Sequence, residues 1–297
     1  MSRCLNLSRL ARPPVYSHVH FHRRRPGSLA EWVQSGEQPE FLDPSHPAMK
    51  MRQKQFPSTI NPYFRLRAIP TALLMKSEMI VPLPRPQIDL WTERIARAAA
   101  SRKEQPIEQT DKSSPSNVAS RLLDFVAPPL LMSHPKGSIP MTIFFTTSKA
   151  RTHKHCTKRR RLRTKIRGVI NLIVTRGAAV RDAASDLKGI IFNDDEVRQR
   201  GDKWILPDWA YICYPEAKAY LTPYSELTQA MRESLQKIWD AGMHLEGLWA
   251  EAEMRTQKGL PPLPYPQEAQ RRSKGVPYTP KRKKQKDNID RKPKLHS

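Results

Sequence analysis

The sequence predicts an α+β fold, a small two-layer sandwich with long irregular basic extensions. Two runs of strand length, rich in β-branched and aromatic residues, lie at 141–147 and 209–214 beside turn-forming residues. Between them a helix is predicted over 155–173, because its apolar residues recur with the spacing of one helical face. Those residues are Leu162, Ile166, Val169, Ile170 and Ile173. Such a helix can dock its apolar face on a sheet.

A second amphipathic helix is predicted after the second strand. Thr222 is suited to cap its N-terminus, and Pro223 is suited to its first position. Apolar residues then recur as far as Ile238, and the pattern extends toward Trp249. The stretch 175–203, which lies before the second strand, is predicted to be an inserted polar loop with three adjacent solvated acids.

Proline content limits how much of the chain is expected to fold compactly. The chain has 297 residues, of which 28 are proline and 38% are hydrophobic, so long irregular segments are expected. We predict one folded α+β domain at 118–245. Around it we expect a presequence or basic arm at 1–35, a proline-rich irregular extension at 36–117 with a short helix at 88–100, and a basic disordered tail at 246–297.

The charge balance indicates the class of partner. Lys and Arg number 52 against 28 Asp and Glu, a formal net charge of +24, and such an excess favours binding to a polyanion. No run approaches the roughly 18–20 apolar residues that span a bilayer, so a membrane partner is not expected. Three scattered cysteines do not indicate a disulfide framework or a zinc site. Nucleic acid is therefore the predicted partner.

The first 30 residues have the composition of an organellar presequence. They contain several arginines and serines, and no acid precedes Glu31. A mitochondrial matrix location is therefore predicted, with a basic arm as the alternative. The alternating histidines at 18, 20 and 22 could line one face of a strand as metal ligands, but without a cysteine nearby we favour a solvated or RNA-facing stretch.

The segment 148–167 holds ten Lys or Arg and no acid, and it is the predicted RNA contact. Guanidinium groups bind phosphate oxygens in pairs and keep their charge in any environment. The predicted contacts are Lys149, Lys154, Lys158, Arg159, Arg160, Arg161, Arg163, Lys165 and Arg167. Phe144 and Phe145 point to opposite faces of the first strand, so one can enter the core while the other is available to stack on a base.

The order strand, Ser-Lys, basic helix, strand, Pro, amphipathic helix resembles the protein subunit of bacterial-type ribonuclease P. Residues 159–168 read Arg-Arg-Arg-Leu-Arg-Thr-Lys-Ile-Arg-Gly, similar to the family's basic helix Arg-Asn-Arg-[Ile/Leu]-Lys-Arg-x-[Leu/Ile]-Arg-Glu. Residues 208–215 and 221–227 resemble the family's following strand and helix start. Three positions depart from the family pattern: Arg160 replaces asparagine, Thr164 replaces a basic residue and Gly168 replaces glutamate.

This resemblance covers about 141–239 and implies a ribosomal S5 domain 2-like fold with a left-handed crossover. It also implies an RNA-contact role for Arg159, Arg161, Arg163 and Arg167. In that family the protein assists an RNA catalyst, so no cofactor is expected on the protein itself and Mg²⁺ would be held through the RNA. No catalytic or metal constellation is evident, and whether the chain takes part in an enzyme stays open. The implied function is 5′ processing of precursor tRNA in mitochondria, within a ribonucleoprotein.

Two other functions compete with tRNA processing. Basic arms and a tail with eleven Lys or Arg at 271–297 are equally typical of a structural protein of the mitochondrial ribosome that binds rRNA. A DNA-binding protein is a weaker alternative, because no helix-turn-helix pattern is present.

Overall fold

The computed structural model describes residues 2–3, 10, 12–22, 41–74, 90–103, 137–150, 152–181 and 189–257. The predictions for 23–40, 104–136 and 258–297 lie outside these residues. The chain divides into two compact units, Met1–Met254 and Arg255–Ser297. The sheets and helices described here belong to the first unit, apart from the last turn of the final helix.

The described part of the chain forms eight strands and five α-helices. The strands are β1 (Ser2–Arg3), β2 (His18–His22), β3 (Ser58–Ile60), β4 (Phe64–Pro70), β5 (Ser138–Phe145), β6 (Ala179–Arg181), β7 (Gly189–Phe192) and β8 (Trp209–Pro215). The helices are α1 (Trp91–Lys103), α2 (Cys156–Arg176), α3 (Asp194–Arg200), α4 (Lys218–Leu221) and α5 (Tyr224–Gln257).

A five-stranded mixed sheet with the order β2-β5-β8-β4-β3 is the centre of the domain, which confirms an α+β architecture. The two strands predicted from sequence, β5 and β8, are parallel neighbours, and the chain between them contains α2. Strand β2 extends the sheet in parallel on one side, and β4 and β3 extend it antiparallel on the other. The basic helix is confirmed, and it runs three residues beyond its predicted end at 173.

One face of this sheet is covered by helix α2 over its central strands. Strand alternation and the register place Val19, Met141, Tyr211 and Leu66 on the same face, one from each of four strands, and all four are buried. Helix α2 packs on this face through its apolar stripe, whose members are also buried. The predicted docking of the basic helix on the sheet is therefore observed.

The prediction of a polar loop at 175–203 is wrong. This stretch contains β6, β7 and α3, and β1, β7 and β6 form a second, three-stranded sheet. Gly177 ends α2 with φ of 58°, and a Cβ there would lie 2.5 Å from the carbonyl oxygen of Asn193. Asn193 then caps α3, accepting from the backbone N–H of Glu196 at 3.3 Å. The adjacent acids therefore lie in the first turn of a helix, where their negative charge interacts favourably with the positive end of the helix dipole.

The side chain of Arg232 on α5 ties this insertion to the rest of the domain. Its guanidinium pairs with Glu196, donates to the carbonyl of Ala178 at 3.0 Å and lies 4.7 Å from the centroid of the Trp204 ring. The end of α2, helix α3 and α5 therefore meet at one arginine.

The extension at 36–117 was predicted to be irregular apart from one short helix, and the structure corrects this for two segments. Strands β3 and β4 lie inside it and belong to the central sheet. The predicted helix is confirmed as α1, which begins three residues later than 88. Within the predicted arm at 1–35, strand β2 also joins that sheet. Residues 246–257 of the predicted tail continue α5. Strands β2 and β4, helix α1 and the end of α5 bury apolar side chains against the domain, whereas β3 is held by its pairing with β4.

Helix α1 is fastened to α5 by a buried aromatic and ionic cluster. The His46 ring lies 4.9 Å from that of Trp91 and 5.0 Å from that of Trp249, measured between centroids. Arg94 pairs with Glu246 at 3.3 Å, and both side chains are buried. Burial lowers the pKa of His46 to about 4, so the imidazole is neutral near pH 7. This neutral ring accepts through Nδ1 and caps a short 3₁₀ turn.

Candidate nucleic-acid interface

Helix α2 passes from a solvated first half to a buried second half. Residues 156–161 are exposed except for Arg159, whereas residues 172–175 are all buried. The loop before the helix is fastened to the end of β8, because the Thr152 hydroxyl donates to the carbonyl of Pro215 at 3.2 Å. The first turns of α2 therefore project into solvent from a fixed base.

Five of the nine predicted contact residues have exposed side chains. They lie on the loop before α2 or on its first two turns, where no acid interrupts the sequence. We call these five residues the exposed cation cluster: Lys149, Lys154, Lys158, Arg160 and Arg161.

The exposed cation cluster lies at the end of the helix where positive charge is least favourable. A helix N-terminus carries about half a positive elementary charge, and α2 has neither an acid in its first turn nor a capping side chain at His155. Partial burial and the neighbouring cations, Lys158 first among them, lower the pKa of His153. The region therefore has a concentrated positive potential that suits an anion such as phosphate.

Arg159 is half-buried and turned back onto the loop before the helix. Its Nη1 donates to the carbonyl oxygens of His153 at 2.7 Å and Lys154 at 2.9 Å. It therefore shapes the loop, while the guanidinium retains further N–H donors that a phosphate could engage.

Lys165, predicted to contact RNA, has a structural role instead. Its ammonium donates to three backbone carbonyls, those of Ala219, Tyr220 and Thr222. An ammonium has three hydrogens, so these bonds use its whole donor capacity. Partial burial lowers its pKa. The sequence shows the charge of this residue but not the carbonyls that surround it.

Arg163 and Arg167 are also half-buried, and Arg167 lies among aromatic rings. Its guanidinium is 5.5 Å from the ring centroid of Phe21 and 5.3 Å from that of Phe145. The Nε of Arg163 is buried and has no hydrogen-bond partner among the described residues. Of the four arginines to which the resemblance assigned RNA contact, only Arg161 is exposed.

The two phenylalanines of β5 point to opposite faces, as predicted. Phe145 lies on the face covered by α2, under the Arg167 guanidinium, and so serves packing. Phe144 is half-buried on the other face, paired in register with Ile212. Phe144 is therefore the member of the pair that remains a candidate for stacking on a base.

Sequence reasoning missed the second face of the sheet. Arg65, Tyr214 and Ile60 share this face in register, Arg65 is exposed, and Ile60 is 75% exposed. Arg67 lies beside Ile212 and Phe144 in the next row. The alternation of apolar and basic residues in 64–68 would have predicted a half-buried strand with its arginines on one side. Ile212, between Phe144 and Arg67 on this face, is only 3% exposed, so the accessible part of the face lies at the β3–β4 edge around Arg65 and Ile60.

No metal site is evident in the described ranges, where no three His, Cys, Asp or Glu side chains could jointly hold an ion. The rings of His18 and His20 lie 6.2 Å apart on β2, and those of His153 and His155 lie 5.3 Å apart before α2. Cys156 is exposed and Cys213 is buried, and both are free thiols. Among the helices that the structure describes, none has the length and apolar character needed to cross a membrane.

Comparison of the chain with protein-family models, with curated proteins and with solved structures finds no match.

Proposed function

We propose that this protein binds RNA through the exposed cation cluster and acts as a ribonuclease P-like protein component that assists 5′ processing of precursor tRNA. In this role the protein positions RNA and cuts no bond itself. Mg²⁺ would be bound by the RNA, and the site of action would be the mitochondrial matrix within a ribonucleoprotein. The residues proposed to contact phosphates are the five members of the cluster together with the free donors of Arg159.

The exposed cation cluster is the observation that carries this proposal. Cations at a helix N-terminus cost folding free energy, about 0.3–1 kcal/mol each where they are exposed. Local rules are usually broken where function requires it. Phosphate would remove the conflict, because the helix dipole and the side-chain cations attract the same anion.

The order of elements supports the narrower assignment to a ribonuclease P-like protein. Strand β5 is followed by Ser148-Lys149 and the basic helix α2. After the insertion that contains β6, β7 and α3 come a strand parallel to β5, which ends at Pro215, and the long amphipathic helix α5. Apart from that insertion, the ribonuclease P protein family has the same order. The burial of Arg163 and Arg167 departs from the contact set that the motif implies, so the cluster would contact RNA nearer to the start of the helix.

Sedimentation of the tagged native protein tests the choice of RNA partner. Recovery with a small non-ribosomal RNA that cleaves precursor tRNA is the expected result. Co-migration with a ribosomal subunit through high-salt washing would instead support a structural protein of the mitochondrial ribosome, the function that the basic tail at 271–297 also fits.

Neutralising the cluster tests the contact surface directly. Replacing its three helical members, Lys158, Arg160 and Arg161, by Gln should lower the log–log dependence of RNA affinity on salt by about 2 to 3, at roughly 0.7–0.9 per phosphate contact. The matched control replaces the three exposed lysines Lys54, Lys203 and Lys237, which carry equal charge elsewhere on the surface. Equal losses in both triple variants would show that net charge, rather than this surface, holds the RNA.

A further inference from the structure

The turn that joins β8 to α5 exposes apolar side chains that the proposed phosphate contacts leave unused. Leu221 is 84% exposed and Tyr224 is 37% exposed, while Tyr220 is half-buried. We call these three residues the turn patch. A single exposed leucine is common on protein surfaces, but an apolar group beside a cation cluster is less ordinary.

The turn patch lies against one flank of α2. Lys158, Arg161 and Lys165 are three and four residues apart, so they share that flank. The Lys158 Nζ lies 5.8 Å from the centroid of the Tyr220 ring, and the Lys165 Nζ lies 5.4 Å from that of Tyr224. The patch therefore forms one surface with the helix positions at which phosphates are proposed to bind.

The turn is held in place rather than loosely attached. The three carbonyls that accept from the Lys165 ammonium all belong to residues 219–222, and the Thr222 hydroxyl donates to the carbonyl of Lys218 at 2.9 Å. A fixed apolar surface binds a flat ligand with little loss of conformational freedom.

We propose that the turn patch binds one unpaired base of the RNA whose phosphates lie on Lys158 and Arg161. This inference rests on the proposed function. A paired base hides its faces in the helical stack, whereas an unpaired base presents an apolar face directly beside its own phosphate. A surface that places apolar side chains next to cations matches both parts of such a nucleotide.

Charge complementarity favours RNA over a second copy of the chain as the occupant. The exposed charges on the adjoining flank are the cations Lys158 and Arg161, and no acid occurs between residues 217 and 225. A second copy would bring the same cations against these and repel.

The test uses the full chain and two hairpin RNAs of equal length, one fully paired and one with a single bulged adenosine. The chain should bind the bulged hairpin about 5- to 10-fold more tightly, the lower end of what one stacked base contributes. Leu221→Ser should remove most of this preference and leave the affinity for the paired hairpin unchanged. Leu221→Tyr, which has a larger stacking face, should increase the preference for the bulged hairpin. An increase of this kind cannot be explained by misfolding of the variant.

Val15→Ser is the control, because Val15 is also an exposed apolar residue (44%) and lies on the segment before β2, outside the turn patch and the sheet faces. It should leave the preference unchanged. Equal binding of both hairpins by the native chain, or an equal effect of Leu221→Ser on both, would overturn the inference while leaving the phosphate contacts intact. Failure of the proposed function would give a different result: the affinity for the paired hairpin would not change when the exposed cation cluster is neutralised.

Discussion

Replacing Lys165 by methionine separates a structural cation from an RNA-binding one. Methionine keeps much of the aliphatic stem that packs on the protein but has no hydrogen to donate. The carbonyls of Ala219 and Tyr220, which now accept at 3.2 and 3.1 Å, lose their charged donor, as does that of Thr222. The turn between β8 and α5 would then be held to α2 by packing alone.

The magnitude follows from the number of bonds and their exposure. A hydrogen bond to a charged group contributes about 1.5–3 kcal/mol when protected, but water can reach this half-buried amine and replace part of the loss. We therefore expect a destabilisation of about 1–2 kcal/mol for the three bonds together, or roughly 2–8 °C in Tm for a domain of this size. Affinity for a fully paired RNA, which does not use the turn patch, should change by less than about twofold, because the ammonium has no donor left for phosphate.

Arg161→Met is the matched variant on the same flank of α2. Arg161 is exposed, so stability should stay within about 0.5 kcal/mol, while the salt dependence of RNA binding should fall by about 0.7–0.9. Thermal melting followed by circular dichroism and RNA binding measured across a salt series would give both quantities. The reasoning is refuted if Lys165→Met leaves Tm unchanged and weakens RNA binding as much as Arg161→Met does.

Three further predictions concern the rest of the domain. The pKa of His46 is lowered to about 4 in the folded chain, so the unfolded chain binds a proton first as the pH falls below about 6.5. The free energy of unfolding should therefore drop by roughly 3 kcal/mol between pH 6.5 and pH 4. Chemical denaturation of His46→Asn, which keeps a capping acceptor, should lack this loss. Arg94→Met should cost about 3 kcal/mol by leaving Glu246 buried and unpaired, and adding Glu246→Gln should recover part of it in the same assay. A chain lacking residues 1–22 should melt at a lower temperature than one lacking 1–9, because Val19 of β2 is buried in the sheet. Mass spectrometry of the native protein should accordingly place any presequence cleavage before β2.

Elements with a strong local pattern could be predicted from sequence. Strands β5 and β8 and helices α2 and α5 were found because β-branched runs and helical spacing are properties of neighbouring residues. The N-terminus of α5 was predicted less well, since the Thr222 hydroxyl donates to α4 instead of capping α5. Strand β2 was not predicted because its partner is distant in sequence, with His18 opposite Ser138, whereas the alternation in 64–68 was a local signal for β4 that was overlooked. Strand formation depends on such partners more than on intrinsic preference.

The candidate site was located by sequence but only partly resolved by it. A run of ten cations without an acid at 148–167 identifies a segment suited to bind an anion, because its net charge does not depend on the fold. Which of those cations can meet an anion depends on what packs against each one. The Lys165 ammonium is engaged by carbonyls from 219–222, and the Arg167 guanidinium lies beside rings from two different strands.

The sequence by itself therefore determined the class of partner and the segment that meets it, since both follow from local composition and periodicity. Tertiary structure alone decided which side chains are exposed, which face of the sheet α2 covers and that the turn patch lies beside α2. Those outcomes require contacts between residues far apart in the chain, such as Lys158 and Tyr220, whose meeting no local pattern encodes.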